Sequence, residues 1–576
     1  MATNVLRLPD SLYNLGVSAV ISNYNNFKND LRTLPESLLF DLYHKLYLDK
    51  RLCLLSGEFS DLDVFARMLK VTNRRLHLLK SFQSLMDHDS RVAQDLALSY
   101  QMRCVGLNGC QCKESTIDLG LRLGGFLSDA GWFAESERVL LACKELCQST
   151  DPTGPNLRKL LECCHKLLRT QAAFCQFAGA QKSYQLALEV VAQLQNLQEP
   201  TNLSGLFTEF SVLHFSRSEY DEAHRWSLQA LRRVHNAPVR LAVDVLRQAA
   251  KACVLKREFR RAGLLAKQAV CLTRDVYNTD HPKYADALLD YGFYLLNFDC
   301  IRQSVALYEM ALDIRKAMFG KVNLHVAVAH EDLAYALYVH EYSSGRFLKA
   351  REHADKAIAI MERLLPEDHL MLASVKRVKA LILEEIALDT MIHNSGMNIL
   401  LSKAEELHQS ALKLAVATFG EKNVQTAKHF GNLGRLYQSM KKFQEAEIMH
   451  LKAIAIKEEL LGCDDYEVGL SIGHLASLYN YHMKKYRKAE QLYYRSIGIS
   501  LKLFGENYSG LEYDYRGLMH VYHELKDVEK VAEYQYLLNN WRLHREMHAQ
   551  KEDPPLGLFE PALPLQTLAE QALCTD

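Results

Sequence analysis

Phe430, Leu433 and Tyr437 stand at i, i+3 and i+7, a spacing that lines three large apolar side chains along one face of a helix. Gly434 lies among them, and Ala446 and Ala453, seven residues apart, share one face of a second helix. The pattern predicts a helical hairpin in which small residues let the two helices press together.

The frame recurs. Leu475, Ala476 and Tyr479 repeat it 42 residues later, with Ala489 following after a one-residue insertion. Upstream it returns as Gly292, Leu295, Ser304 and Ala311, as Ala334, Leu337, Ala350 and Ala357, and as Ala250, Ala262 and Ala269. Ala250 to Gly292 and Gly292 to Ala334 are steps of 42 residues, whereas Ala334 to Ala380 takes 46 and Ala380 to Gly434 takes 54. The excess falls in EYSSGRF (341–347) and LDTMIHNSGMNI (388–399), whose Gly, Ser and Asn content marks connections. Neither helix of such a hairpin buries its apolar face without the next hairpin, so the units must stack. The expected fold class is all-α, an α-solenoid.

Composition agrees. Prolines number 12, with none between Pro366 and Pro554, which suits long helices. Basic and acidic residues balance at 69 each, which argues against a general nucleic-acid or anionic-membrane binder. The stretch MATNVLRLPDSLYNLG has no basic region followed by an apolar core, and no apolar run reaches about 18 residues, so a soluble intracellular protein is expected. The 14 cysteines read as small hydrophobes of a reducing compartment. Cys104, Cys110 and Cys112 include a C-x-C pair without a matching pair downstream, so no metal is expected there. No phosphate loop, H-E-x-x-H, nucleophile elbow or dinucleotide fingerprint is present, so neither an enzyme nor a cofactor is expected.

Four regions follow: a helical segment over 1–70 without the frame, degenerate repeats over 71–241, the regular solenoid over 242–540, and a flexible tail over 541–576, where four prolines within 554–564 bar a continuing helix. In the first region SLYNLGVSAV places Leu12, Gly16 and Val20 on one helical stripe fit for a partner's groove. LPESLLFDL follows, with Leu34 and Pro35 opening a helix that repeats its apolar face through Leu38 and Leu42. These helices can equally cap the exposed end of the solenoid.

The repeat itself, a large residue, Leu-Gly, Tyr and two alanines, resembles the tetratricopeptide repeat with a period of 42 residues, and NVQTAKHFGNLGRLYQSMKKFQEAE is similar to kinesin light chain repeats. FLSDAGWFAESERVLLACKEL and FTEFSVLHFSRSEYDEAHRWSLQAL resemble degenerate units, and LEYDYRGLMHVYHELKDVEKVAEYQYLL a closing one. The two leading stretches, in their order, resemble an elongin-binding box followed by a cullin-2 box, with Gly16 where that family often has cysteine or alanine. FLSDAGW, KYADALLDYGFYLLN, QTAKHFGNLGRLYQSM and GHLASLYNY extend the likeness to the amyloid protein-binding protein 2 family over nearly everything before the tail.

That resemblance implies a substrate receptor of a cullin-2 RING ubiquitin ligase. Leu12, Gly16 and Val20 would hold elongin B and C, and Leu34, Pro35, Leu38 and Leu42 would select cullin-2. Its ligands would be C-terminal degrons with an arginine shortly before a terminal glycine. It also implies binding of a basic sorting segment in the tail of the amyloid precursor protein, microtubule association, and a place in cytoplasm and nucleus and at membranes; whether the chain forms a homodimer stays open. The other reading is a trafficking adaptor like kinesin light chain, but no sustained heptad pattern precedes the repeats.

In stacked hairpins of this kind the second, fifth, sixth and ninth positions of each first helix face the groove. They nominate Asp244, Gln248, Asp286, Leu289, Asp290, Phe293, Glu331, Asp332 and Tyr335. Asp286, Asp290, Glu331 and Asp332 offer carboxylates to an arginine, with Phe293 and Tyr335 as aromatic faces. They can instead be solvated, or paired with Arg247 and Arg377. Asn432 and Arg435, with His474 and Asn480, are the candidates for a terminal carboxylate.

Overall fold

The computed structural model describes residues 11–106, 110–199, 201–342, 345–389, 394–550 and 555–574, and every regular element among them is helical. The helices form two compact units: one runs to Thr201 and includes Arg315–Val326, and the other comprises Asn202–Ile314 and the chain from Ala327 onward. Two complete hairpins precede Thr201, within the 71–241 stretch expected to hold degenerate repeats.

The first unit opens with the helices Leu12–Ser22, Tyr24–Leu31, Glu36–Leu48, Leu52–Phe59 and Leu62–Met68. Arg75–Met86 and Val92–Val105 follow, then the hairpins Cys110–Asp129 with Phe133–Gln148 and Gly154–Ala173 with Phe177–Asn196. Phe65 joins the leading helices to the rest, its ring centroid 5.8 Å from Phe82 and 5.3 Å from Phe126. Gly131 turns the first hairpin at φ +85°, and a Cβ there would meet the Asn323 side chain at 2.7 Å, so only glycine fits.

Eight hairpins make the second unit. Their first helices are Ser204–Ser216, Val239–Leu255, Pro282–Asn297, Leu324–Glu341, Met371–Asp389, Val424–Ser439, Tyr466–Ser477 and Leu511–Glu524. Each has its second helix behind it, the sixth being Phe443–Leu461. The frame alanines Ala262, Ala269, Ala446, Ala453 and Ala489 are all 1% exposed or less. Gly292 and Gly434 answer the same need: a Cβ would stand 2.7 Å from the Tyr308 ring at one and 2.9 Å from the His450 ring at the other. The one-residue insertion before Ala489 is absorbed as a π turn over Leu478–His482, where the Met483 N–H donates to the Leu478 carbonyl at 3.0 Å.

The chain reverses between paired helices through single residues of positive φ, among them Ser218, Arg257, Asp299, Lys441, Lys484 and Lys526. Several of these turns meet the hairpin five units further on. Asn423 Nδ2 donates to the Arg217 carbonyl at 2.9 Å, the Arg257 guanidinium lies 4.9 Å from the Tyr466 ring centroid, and Ser509 Oγ donates to Asp299 at 2.6 Å. One revolution of this unit therefore takes five hairpins, and its neighbouring revolutions touch.

The tail is a correction to the expectation of flexibility. Val528–Gln550 continues as helix well past 541, and Leu565–Cys574 is a helix that buries Leu568, Ala569 and Ala572. Between them Arg274 donates to the carbonyls of Leu558 at 2.7 Å and Glu560 at 3.0 Å, and Gln268 accepts from the Leu563 N–H at 2.8 Å. Proline forbids helix there but leaves carbonyls free to accept, and the helix Phe259–Tyr277 supplies the donors.

Candidate functional site

Two places in the chain answer the sequence expectations, and each sits within one unit. The first is the leading helix. Ser11 caps it, its Oγ accepting from the Asn14 N–H at 3.1 Å, and Tyr13 ties it to Glu36–Leu48 through a 2.6 Å bond to Asp41. Ile21 is buried, whereas Leu12 is 88% and Leu15 52% exposed. Gly16 is exposed and nothing lies within 4 Å of where its Cβ would be; Val20 is half-buried. Leu12 and Gly16 are thus presented outward, while Phe65 of the same leading region packs on Phe82 and Phe126 of the helices that follow.

In the next helix the expectation holds only in part. Pro35 is exposed and Leu34 and Leu38 are half-buried, but Leu42 is 4% exposed. Leu39, Leu42 and Leu46 form the i, i+3, i+7 stripe that this helix turns into its own core, so Leu42 is no part of a docking surface.

The second place is the first-helix wall of the solenoid. At its amino-terminal end the expected arginine pocket contains the chain's own arginine. Arg247 Nε donates to Asp290 at 2.7 Å, and its Nη1 reaches Asp244 at 3.3 Å and Asp286 at 3.4 Å. Lys283 bonds Asp244 at 2.8 Å and Lys251 approaches Asp290 at 3.4 Å, so three cations match three carboxylates. Burial works against the Arg247 charge, yet Asp290, Asp286 and Asp244 raise its pKa above the usual arginine value. Asp286 and Asp290 are therefore corrected from ligand-binding to structural, and Phe293 lies beside them, 6.4 Å from the Phe215 ring. Gln248 is buried, donating to Ser211 at 3.0 Å, and Leu289 is buried too.

Further along, the balance tips to acid. Glu331, Asp332 and Tyr335 are half-buried on one helix face, with the Arg377 guanidinium 5.3 Å from the Tyr335 ring centroid. Burial raises the Glu331 pKa, only partly offset by a Ser374 hydrogen bond and by Arg377. Glu385 is likewise raised, by burial and then by Glu384 and Asp389, despite Arg435. A carboxylate held above its ordinary range is one that an incoming cation stabilises.

Arg435 cannot serve as the expected carboxylate anchor. Its Nη2 donates to Glu384 at 2.8 Å, its Nη1 to Tyr338 Oη at 2.8 Å, and Glu385 lies 3.6 Å away. Burial drives the His474 pKa well below normal, so this ring is neutral at physiological pH. Asn480 is buried, donating to the Gly517 carbonyl at 3.0 Å, and Asn432 is half-buried on the wall.

The cation that fits lies elsewhere. Lys428 and Lys457 both reach Glu467 at 3.0 Å, and Lys457 also donates to Ser471 at 3.0 Å. Burial would raise Glu467, but the two ammonium groups force it far below the carboxylate range. Two cations share one carboxylate, leaving a positive excess beside the acid-rich hairpins. Lys428 was within reach of the sequence: it stands six residues before Gly434, as Asp244 and Asp286 stand six before Ala250 and Gly292, so carrying the frame forward nominates it. The wall thus runs from a neutral cluster through under-compensated carboxylates to Lys428, whose counter-ion Glu467 is shared with Lys457 buried on the helix behind.

A tetratricopeptide repeat family model matches residues 401–459. Among solved structures, a Rap protein complexed with competence and sporulation factor is 14% identical, covering 67% of this chain and 98% of that one at a TM-score of 0.48. A protein from Podosopora anserina described as a kinesin light chain with nearly identical TPR-like repeats is 18% identical, covering 38% of this chain and 96% of that one at a TM-score of 0.28. Amyloid protein-binding protein 2 of Mus musculus is 53% identical over 543 residues, 94% of this chain and 92% of the relative, and that of Rattus norvegicus matches to the same extent. Identity at that level along nearly the whole of both chains means that this protein, a tetratricopeptide-repeat chain, belongs to the amyloid protein-binding protein 2 family.

Proposed function

We propose that the protein is the non-catalytic substrate-recognition subunit of a cullin-2 RING ubiquitin ligase, taking C-terminal degrons with an arginine near a terminal glycine. The observation that carries this reading is the outward-facing leading helix. Leu12, Leu15 and Gly16 form an apolar, sterically open stripe on the leading helix, at i, i+3 and i+4. Elongin B and C would take that stripe, and Leu34, Pro35 and Leu38 beside it would meet cullin-2.

The solenoid wall supports the degron half of the proposal. Glu331 and Glu385 suit a guanidinium, with Tyr335 as an aromatic face, and Lys428, whose side chain is 28% exposed, suits a terminal carboxylate. A basic sorting segment of an amyloid protein would use the same carboxylates. The receptor then accelerates ubiquitin transfer by holding its substrate close to the charged enzyme.

Co-expression with elongin B/C and cullin-2 tests the first half. The wild type should co-purify with all three and a Leu12→Ala, Leu38→Ala variant should lose them; equal recovery would end the assignment. Fluorescence anisotropy with a peptide ending in Arg-Ala-Ala-Gly tests the second. Glu331→Lys with Glu385→Lys should abolish binding, while Glu406→Lys, at a side chain 67% exposed on a second helix, should not.

A further inference from the structure

His224, Cys253 and Glu258 come from three successive elements and meet with one potential ligand atom each, all within 4.8 Å of one another. His224 lies on Tyr220–Leu231, Cys253 near the end of Val239–Leu255, and Glu258 at the N-cap of Phe259–Tyr277. The convergence has a local cause. Arg257, at φ 61°, reverses the chain, and the Glu258 N–H donates to the Cys253 carbonyl at 3.0 Å, folding the carboxylate back over the thiol. Packing of the preceding hairpin then brings His224 Nε2 to 3.1 Å from Glu258.

We infer that these three side chains form a binding site for a zinc-class divalent ion. A tetrahedral ion with ligands at about 2.0–2.3 Å needs donor atoms about 3.3–3.8 Å apart, a small adjustment from this arrangement. Thiolate, imidazole and carboxylate together select borderline metals such as zinc over magnesium or calcium, which want oxygen alone. Cys253 is fully buried, while the Glu258 side chain is 32% exposed, so the ion enters past the carboxylate and water completes the fourth position.

On binding, Cys253 gives its proton to solvent, and its thiolate with the Glu258 carboxylate offsets the dication, while the Arg261 guanidinium beside Glu258 leaves one positive charge at the site. Arg261, which bonds Glu258 through Nη1, holds the Ala572 carbonyl through Nε at 2.6 Å and keeps that anchor when the metal takes a carboxylate oxygen. The bound ion would staple two successive hairpins at the point where the carboxyl-terminal helix docks. The spacing of these residues, 29 and then 5 positions, matches no paired-cysteine signature, which is why a motif search passes over it.

Cobalt titration of the chelator-treated full-length chain tests the site. The wild type should bind with a thiolate-to-cobalt charge-transfer band and the visible bands of four-coordinate cobalt, both displaced by zinc. Cys253→Ser should lose the charge-transfer band, and His224→Phe and Glu258→Gln should each weaken affinity at least tenfold. Zinc should raise the thermal midpoint of the wild type and of none of the three. The exposed thiols of Cys53, Cys463 and Cys574 are controlled by the same comparison. No cobalt–thiolate band in the wild type, or an undiminished band in Cys253→Ser, overturns the site; where Cys253→Ser does not fold, unchanged affinity in both other variants does so.

Discussion

Asp299 and Arg545, 246 positions apart, meet at 2.6 Å, and Asp299 also accepts from Ser509 N–H at 3.1 Å and Oγ at 2.6 Å. One carboxylate at a hairpin turn thus joins two revolutions of the superhelix. Its own φ of 65° makes glycine a strain-free replacement. Asp299→Gly is expected to remove only the clasp and cost about 1.5–3 kcal/mol, the range for hydrogen bonds to a charged group. Arg545→Gln keeps both Ser509 bonds and gives up an ion pair whose arginine is 37% exposed, so it should cost about 1 kcal/mol or less. Urea unfolding and limited proteolysis of the two variants would separate these outcomes; equal midpoints for Asp299→Gly and wild type would show that the clasp contributes nothing.

Gly434 and Gly431 lie one helical turn apart and are expected to respond in opposite directions. A Cβ at Gly434 meets the His450 ring at 2.9–3.0 Å, closer than real contacts allow, and His450 is fully buried behind it. Gly434→Ala should therefore destabilise by about 1–3 kcal/mol through overpacking. A Cβ at Gly431 meets only Ala453 Cβ at 3.8 Å, ordinary contact, so Gly431→Ala should gain up to about 1 kcal/mol of helix propensity. Chemical unfolding of both variants under one condition checks the sign of each.

This contrast marks how far the sequence could be read. The frame alanines and glycines are legible because close helix approach leaves no alternative to a small side chain, and the frame carries the hairpins, their insertions and the solenoid with it. What the frame does not specify is which charged residue answers which. Asp286 and Asp290 look like a pocket until Arg247, from the preceding hairpin, is placed between them. Leu42 carries the same apolar signal whether it faces a partner or the core. Closure after five hairpins depends on polar turn residues such as Asn423, whose amide donates to the Arg217 carbonyl 206 positions away, which no periodicity marks. In the tail the prolines mark only where helix stops, and nothing in the pattern marks the carbonyls of Leu558 and Glu560 that Arg274 captures.

Glu467 holds two lysines at once, and Lys457 is 3% exposed, so this carboxylate offsets charge that has no ready access to water. Glu467→Gln keeps the shape and removes the charge. It should cost about 3–5 kcal/mol, as expected when one partner of a buried ion pair is deleted. The double variant Glu467→Gln, Lys457→Met removes the stranded ammonium as well and should recover at least half of that loss. A double variant no more stable than Glu467→Gln would mean that the lysine was never stranded.

His450 has both ring nitrogens buried without hydrogen-bond partners, and burial, with the nearby Arg435 and Lys457 charges, pushes its pKa down to about 3. An unfolded histidine takes up its proton near pH 6.5, whereas the folded ring resists until about pH 3. Between those values the unfolded chain binds more protons, so stability falls as pH falls, by about 1.4 kcal/mol per pH unit for each such group, and the contribution is fully present above about pH 6.5. His429 behaves in the same way, also at about 3. Phenylalanine fills nearly the same space and leaves no unpaired nitrogen. His450→Phe should therefore lie within about 1–2 kcal/mol of wild type at pH 7 and lose about 2 kcal/mol less than wild type on moving to pH 5. Urea midpoints at the two pH values measure the difference, and parallel losses in both proteins would show that His450 takes up its proton in the folded state as readily as in the unfolded one.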